Sequence, residues 1–213
     1  MTSVLGEPPF LSCDNIREIS LCSNSNFKIY CGLVVGSNSN VSDYKTVVQG
    51  INGDVVLTSN TSDISSIGKN SFSGLENLSS VTFTGNNSYI KNIDRTAFFG
   101  CHSLRHIELN KLTALSEIEI NAFYGCSNLL SVALPKSLVK VGEGSFARCT
   151  SLSAVNLTNI TAKLSVDDIA FKDCESLTGI YFPSSTDEIG ASAFVGCSNL
   201  STITLNGKPR LIF

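Results

Sequence analysis

The chain has 213 residues, of which 42% are hydrophobic and 15% charged, with a formal net charge of -3. A slight acidic excess with no cluster of Lys and Arg excludes a nucleic-acid surface, which needs a basic face. No run of about 20 apolar residues reads as a membrane span, yet the apolar content is ample for a continuous core.

Residues 1–9 hold neither a basic head nor an apolar run, so no signal peptide is read there. Residues 5–21 are instead the first copy of a unit that returns at 67–83, 93–109, 118–134, 141–157, 166–182 and 189–205. A fixed period of this length marks a solenoid. Each copy can be counted from its phenylalanine: Phe10, Phe72, Phe98, Phe123, Phe146, Phe171 or Phe194. Five residues earlier stands a branched aliphatic, from Leu5 and Ile67 to Val166 and Ile189. One residue earlier is a small side chain (Ser71, Ala97, Ala122, Ser145, Ala170, Ala193), except at Pro9. Three residues later comes Cys13, Leu75, Cys101, Cys126, Cys149, Cys174 or Cys197. Apolar residues follow six, nine and eleven positions after the phenylalanine, as in Leu104, Ile107 and Leu109.

The Leu-x-x-Ile-x-Leu ending alternates as a short strand with one buried face does. One such strand per coil, stacked at about 4.8 Å, predicts a parallel sheet. The phenylalanine, its small neighbour and the aliphatic five back then lie on the opposite wall, with Phe72 to Phe194 as a spine. The fold expected is a right-handed leucine-rich-repeat solenoid of about eight coils. Its sheet forms the concave side, with short helical or irregular turns on the convex side.

This pattern resembles the BspA-like leucine-rich repeat family, whose unit reads Leu-Pro, an aliphatic, Ala-Phe, Cys and the Leu-x-x-Ile-x-Leu strand. Residues 134–149, from Leu134-Pro135 through Ser145-Phe146 to Cys149, match it best, and Phe182-Pro183 opens another copy. The resemblance covers 5–21 and 67–205. It implies a surface-exposed module for binding or adhesion.

Between residues 22 and 66 the register breaks. Residues 27–35 and 44–48 read as extra strands, with 36–40 a loop, and Asn52-Gly53-Asp54 between Val-rich runs is a hairpin signal. Residues 55–57 stand where the strand of one degenerate coil belongs. The stretch is an irregular coil with an insertion, or an insertion that projects to bind something. The domain reading is a single solenoid over 1–213: a first repeat at 5–21, the irregular stretch at 22–66, six regular repeats at 67–205 and a tail at 206–213. Because the sequence opens inside a repeat and stops just past a strand, a fragment of a longer array is expected.

The repeated cysteines point inward and read as buried free thiols. Cys22 and Cys31, outside the repeat register, are the pair placed to form a disulfide. No close Cys pair of the C-x-x-C kind suggests zinc, and no cofactor is implied. His102 and His106 do not converge on a strand, and no nucleophile or phosphate-binding motif occurs. Asp167-Asp168 and Asp187-Glu188 read as solvated charges, and no catalytic residue is assigned.

The outward strand positions form a flat ladder of small polar residues, broken by Arg105, His106, Glu108, Asn156 and Tyr181. Such surfaces bind partners, and Tyr and Arg are favoured anchors; these five are the candidate partner-binding residues. Sequons stand at Asn40, Asn60, Asn77, Asn86, Asn156, Asn159 and Asn199. A glycan at Asn156 would block the strand face, so glycosylation there is not expected. The function expected is a non-catalytic protein-binding or adhesion module, at a cell surface or secreted, whose partner is host matrix or another cell's surface protein. An intracellular, cytoplasmic scaffold built from the same repeat is the alternative.

Overall fold

A computed structural model of the chain describes residues 54–58, 66–84 and 89–213, and the backbone of three earlier strands, β1 (Phe27–Tyr30), β2 (Leu33–Gly36) and β3 (Thr46–Gln49). The repeat at 5–21, with Cys13, and the proposed pair Cys22 and Cys31 lie outside the described residues.

Each regular coil has two strands, not one. The branched aliphatic before the phenylalanine sits on one wall, in β5 (Ser66–Ile67), β7 (Asn92–Ile93), β9 (Glu117–Ile118), β11 (Lys140–Val141), β13 (Leu164–Val166) and β15 (Thr186–Ile189). With β17 (Arg210–Leu211), in the stretch read as a tail, and β1 to β3, they form a ten-stranded sheet. Its register sets Ile67, Ile93, Ile118, Val141, Val166, Ile189 and Leu211 side by side. The facing wall carries the Leu-x-x-Ile-x-Leu strands: β4 (Val55–Thr58), β6 (Ser80–Thr84), β8 (His106–Ile107), β10 (Ser131–Ala133), β12 (Ala154–Asn156), β14 (Gly179–Phe182) and β16 (Thr202–Leu205). That wall is divided into three parallel ladders, β4-β6-β8, β10-β12 and β14-β16. The longer sheet was hidden from sequence because strands of two residues are too short to show an alternation.

Of the helical or irregular turns expected, the irregular kind is found: among the described residues the one helical element is a 3₁₀ turn at Leu109–Lys111, after β8. Asn52 and Gly53, read as a hairpin turn, lie outside the described residues, and the strands on either side of them, β3 and β4, belong to different sheets. The antiparallel pairings are β1 with β2 and β2 with β3, at the end of the longer sheet.

The chain turns between the walls at the phenylalanine, and two left-handed residues make that turn. Two positions before the ring stand Asn70, Thr96, Asn121, Gly144, Ile169 and Ser192, at φ between 49° and 58°. Two positions after it stand Gly74, Gly100, Gly125, Arg148, Asp173 and Gly196, at φ between 57° and 78°. For β-branched Thr96 and Ile169 this conformation is strained, and the neighbouring coils hold it in place.

Between these bends the small residue and the ring point inward. Successive rings from Phe72 to Phe194 stack with centroids 4.8, 4.9, 5.1, 5.5 and 5.4 Å apart and planes within 10°. The backbone keeps step: the N–H groups of Phe72, Phe98, Phe123, Phe146 and Phe171 donate to the carbonyl of the small residue in the next coil, at 2.7–2.8 Å. Ser71 and Ser145 take that small position, and their hydroxyls are fully buried with no hydrogen-bond partner.

Two stability predictions follow from this packing. Phe146→Ala empties a fully buried ring site and should cost about 3–5 kcal/mol in urea unfolding. Ser145→Ala restores the alanine found in other coils, removes an unsatisfied buried hydroxyl and should stabilise by about 1 kcal/mol in the same assay. A loss of stability in the serine variant would show that its hydroxyl is paired.

Candidate functional site: the outward strand face

The pleat of the Leu-x-x-Ile-x-Leu strands alternates inward Val, Ile and Leu with outward side chains. His106 lies beside Ser80, Asn156 beside Ala133, and Tyr181 beside Thr204 in the parallel registers. Arg105, His106, Asn156 and Tyr181 are exposed and Glu108 is half-buried. The fold thus brings all five predicted residues to one face, but not to one spot. Arg105, His106 and Glu108 share a coil, while Tyr181 lies three coils on, about 14 Å at the usual strand spacing. Two are tied locally. The Asn156 Oδ1 accepts from the Thr158 N–H at 3.0 Å and from its hydroxyl at 2.7 Å. The Tyr181 hydroxyl accepts from the Asn206 side-chain amide. Arg105, His106 and Glu108 form no ion pair among the described residues.

The structure adds a residue that the sequence reading passed over. Leu130 is 54% exposed on this face, one coil from Arg105, where the other coils have Ser79, Ser153, Thr178 and Ser201. Its signal was the doubled Leu129-Leu130, of which only the first is needed inside. At the turn edge, exposed Phe99 stacks on Tyr124 with centroids 5.0 Å apart, and Arg148 lies 5.9 Å from the Tyr124 ring. There the signal was a second aromatic directly after Phe98 and Phe123.

The described cysteines, Cys101, Cys126, Cys149, Cys174 and Cys197, are free thiols. Each donates to the backbone carbonyl of the phenylalanine one coil earlier: Cys101 to Phe72 at 2.9 Å, and the others to Phe98, Phe123, Phe146 and Phe171 at 3.1–3.2 Å. Burial pushes the Cys101 thiol up to about 12 and raises Cys126 and Cys149 as well. The Cys174 thiol is raised by its hydrogen bond with Cys197 and then by burial, and the same bond lowers Cys197. The inner thiols are therefore protonated donors, poor as nucleophiles or metal ligands. Of the sequons, Asn199 is tied to the preceding coil, its amide donating to the Glu175 carbonyl at 2.8 Å.

The acidic residues lie on the turn beside the longer sheet. Glu143, Asp167, Asp168 and Glu188 line a shallow cavity of about 240 Å³. Asp167 is neutralised by Lys140 at 3.0 Å, Asp187 by Lys163 at 3.0 Å and Glu188 by Arg210. Among the described residues no group of three or more His, Cys, Asp or Glu is arranged to hold a metal ion. His102 sits in its turn with Nδ1 2.9 Å from the Gly125 carbonyl oxygen, a bond between coils.

Four residues before the phenylalanine, adjacent coils place Asp94 next to Glu119. Burial, and then the Glu119 charge, raise Asp94 to about 6 from the ordinary 3.8.

Two facing walls of short parallel strands, a stacked aromatic spine and a flat outward ladder define a leucine-rich repeat solenoid. A profile described as the BspA type leucine rich repeat region, in six copies, matches residues 55–165 and 164–212. The chain belongs to the BspA-type leucine-rich repeat family. Among solved structures it is similar to a leucine-rich cell surface protein of Faecalibacterium prausnitzii A2-165, with 27% identity over 86% of this chain and 47% of that one, at a TM-score of 0.65. The fold is also that of the T. pallidum leucine-rich repeat protein, with 24% identity, 78% of this chain, 77% of that one and TM-score 0.63. It is shared too by the pneumococcal vaccine antigen PcpA, with 19% identity, 83% of this chain, 48% of that one and TM-score 0.61. The chain spans about half the length of the first and third of these. No curated protein matches it. No helix among the described residues is long and apolar enough to cross a membrane.

The Asp94 site predicts a pH dependence with a definite sign. Unfolded, the carboxyl ionises near 3.8; folded, it keeps its proton to about 6. The stability gained from the protonated form is complete below the lower value and lost as pH rises through the upper one. Allowing for partial exposure, the loss is about 1 kcal/mol. Asp94→Asn should be more stable than the parent at neutral pH by that amount. It should also lack the decline between about pH 4 and pH 6 in chemical unfolding; a parallel decline in both proteins would exclude Asp94 as its source.

Proposed function

We propose that this chain is a non-catalytic binding module, carried at a cell surface or secreted, that grips a protein partner across the outward face of its β6 to β16 strands. The observation that carries the reading is the face itself. It is flat and built of Ser, Thr, Ala and Gly, and its few larger groups are Arg105, His106, Glu108, Leu130, Asn156 and Tyr181. A surface of this kind contacts another protein broadly and takes its affinity from a few anchors. The likeness to a protein named as a leucine-rich cell surface protein supports display outside the cell, where host matrix or a neighbouring cell's protein is the partner. One observation favours a cytoplasmic scaffold instead: the described cysteines are all free, as a reducing interior would keep them.

Antibody labelling of intact and permeabilised source cells separates the two. Signal on intact cells supports surface display, and signal only after permeabilisation selects the scaffold. Once a partner is captured from a panel of matrix and cell-surface proteins, Tyr181→Ala and Arg105→Ala should each weaken it at least tenfold, about 1.4 kcal/mol, in biolayer interferometry. Unchanged affinity in both variants would remove the strand face as the binding surface.

A further inference from the structure

The aromatic stack on the turn edge is capped at one end and bare at the other. Phe99 and Tyr124 lie face to face with their planes 4° apart. Beyond Tyr124 the chain supplies a cation of its own: the Arg148 guanidinium is 5.9 Å from the ring centre, and the Asp173 carboxylate is 3.9 Å from the Arg148 Nε. Aromatic ring, guanidinium and carboxylate thus follow one another in successive coils. Arg148 does this from a left-handed φ of 59°, at the place where Gly74, Gly100 and Gly125 stand in earlier coils.

On the other side of Phe99 the column has no such cap. One coil earlier stand Ser73, whose hydroxyl donates to the Phe99 carbonyl at 3.3 Å, and Gly74, which has no side chain. Phe99 is accordingly 38% exposed, and no cation lies over its ring among the described residues. The acid of the trio is nevertheless present. Glu76, three residues past Ser73 in the same turn, is exposed and forms no ion pair among the described residues. Its place in the repeat is that of His102, whose ring lies 4.0 and 3.9 Å from where a Cβ at Gly100 or Gly125 would stand. A side chain at this place therefore reaches the column of glycines beside the aromatic edge.

We infer that this bare rung takes an arginine side chain of a protein partner, its guanidinium flat on the outer face of Phe99 and paired with Glu76. The face of an aromatic ring carries partial negative charge and attracts a cation. The Glu76 carboxylate adds to that attraction and repels an anion. Between the two cationic side chains the site selects arginine, because a planar and weakly hydrated guanidinium stacks on a ring while a compact ammonium holds its water. The chain's own Arg148, between Tyr124 and Asp173, shows that the spacing of the coils accommodates this group. The contact lies on the turn edge, apart from the outward strand face, and stands or falls independently of the role proposed for that face.

NMR titration of the whole chain with the peptide acetyl-Gly-Arg-Gly-amide tests it. Beside it run the same peptide with citrulline, which keeps the plane and loses the charge, and with lysine, which keeps the charge and loses the plane. The arginine peptide should shift the backbone amides of Ser73 and Gly74 saturably, and bind about threefold or more tighter than either of the others. Phe99→Ala and Glu76→Gln should each weaken it about threefold or more, read on the same amides. Glu175→Gln removes the same charge from the same place in a later coil and should leave it unchanged. Both Phe99 and Glu76 are exposed, so thermal unfolding should stay cooperative in their variants; if it does not in Phe99→Ala, Glu76→Gln decides alone. The absence of a saturable shift, equal binding of the arginine and citrulline peptides, or binding indifferent to both variants overturns the inference. Methyl glucoside shifting these amides where the arginine peptide does not would give the ring face to a saccharide and overturn it equally.

Discussion

The solenoid depends on one coincidence of lengths. Parallel strands are held about 4.8 Å apart by their hydrogen bonds, and that is the separation at which aromatic rings stack. The rings from Phe72 to Phe194 follow the ladder at 4.8–5.5 Å without tilting. Ring and backbone therefore reinforce one another. The phenylalanine N–H is taken by the next coil's small residue, and the phenylalanine carbonyl by the next coil's thiol. A buried carbonyl without a donor costs free energy, so the cysteine is more than a small apolar filler. In the coil of Phe72 the matching position is Leu75, which has no donor to offer the coil before it.

The spine was legible because seven copies of the unit share a phenylalanine and an aliphatic five back, six of them with a small neighbour, and side-chain chemistry alone identifies an inward position. What escaped was carried by the backbone. The aliphatic column is a sheet, but rungs such as Asn92–Ile93 and Glu117–Ile118 have too few residues to alternate. The left-handed position before the ring is filled by Asn, Thr, Gly, Ile and Ser, so no residue type advertises it. Cys101, Cys126, Cys149 and Cys174 are buried as expected and Cys197 partly so, but their acceptor is a carbonyl one coil earlier, which no spacing reveals. At 206–213 too little of the unit is present to show its pattern, and yet Arg210 and Leu211 complete a rung beside β15.

The outward face was legible as a face and not as a site. Alternation told which side chains leave the sheet, and Arg105, His106, Glu108, Asn156 and Tyr181 do leave it. Alternation does not report that Asn156 folds back on Thr158 or that Tyr181 is held by Asn206, since both partners lie past the strand ends. Nor did it give weight to Leu130, which looks like core until the copies are laid side by side. A binding surface made of a regular ladder differs from a catalytic cleft in this way. Its scaffold can be read from a period, and its specificity sits in departures from the period.

The in-register stack also bears on how such chains change length. Every coil offers its neighbour nearly the same ring, the same aliphatic and the same ladder of donors and acceptors, and contacts run between adjacent coils. Gene duplication can therefore insert a unit between two others without any side chain meeting a foreign surface, and deletion can remove one and let the stack close. In this architecture the number of coils is a quantity that heredity can count up or down, while the shape of each coil stays as it was.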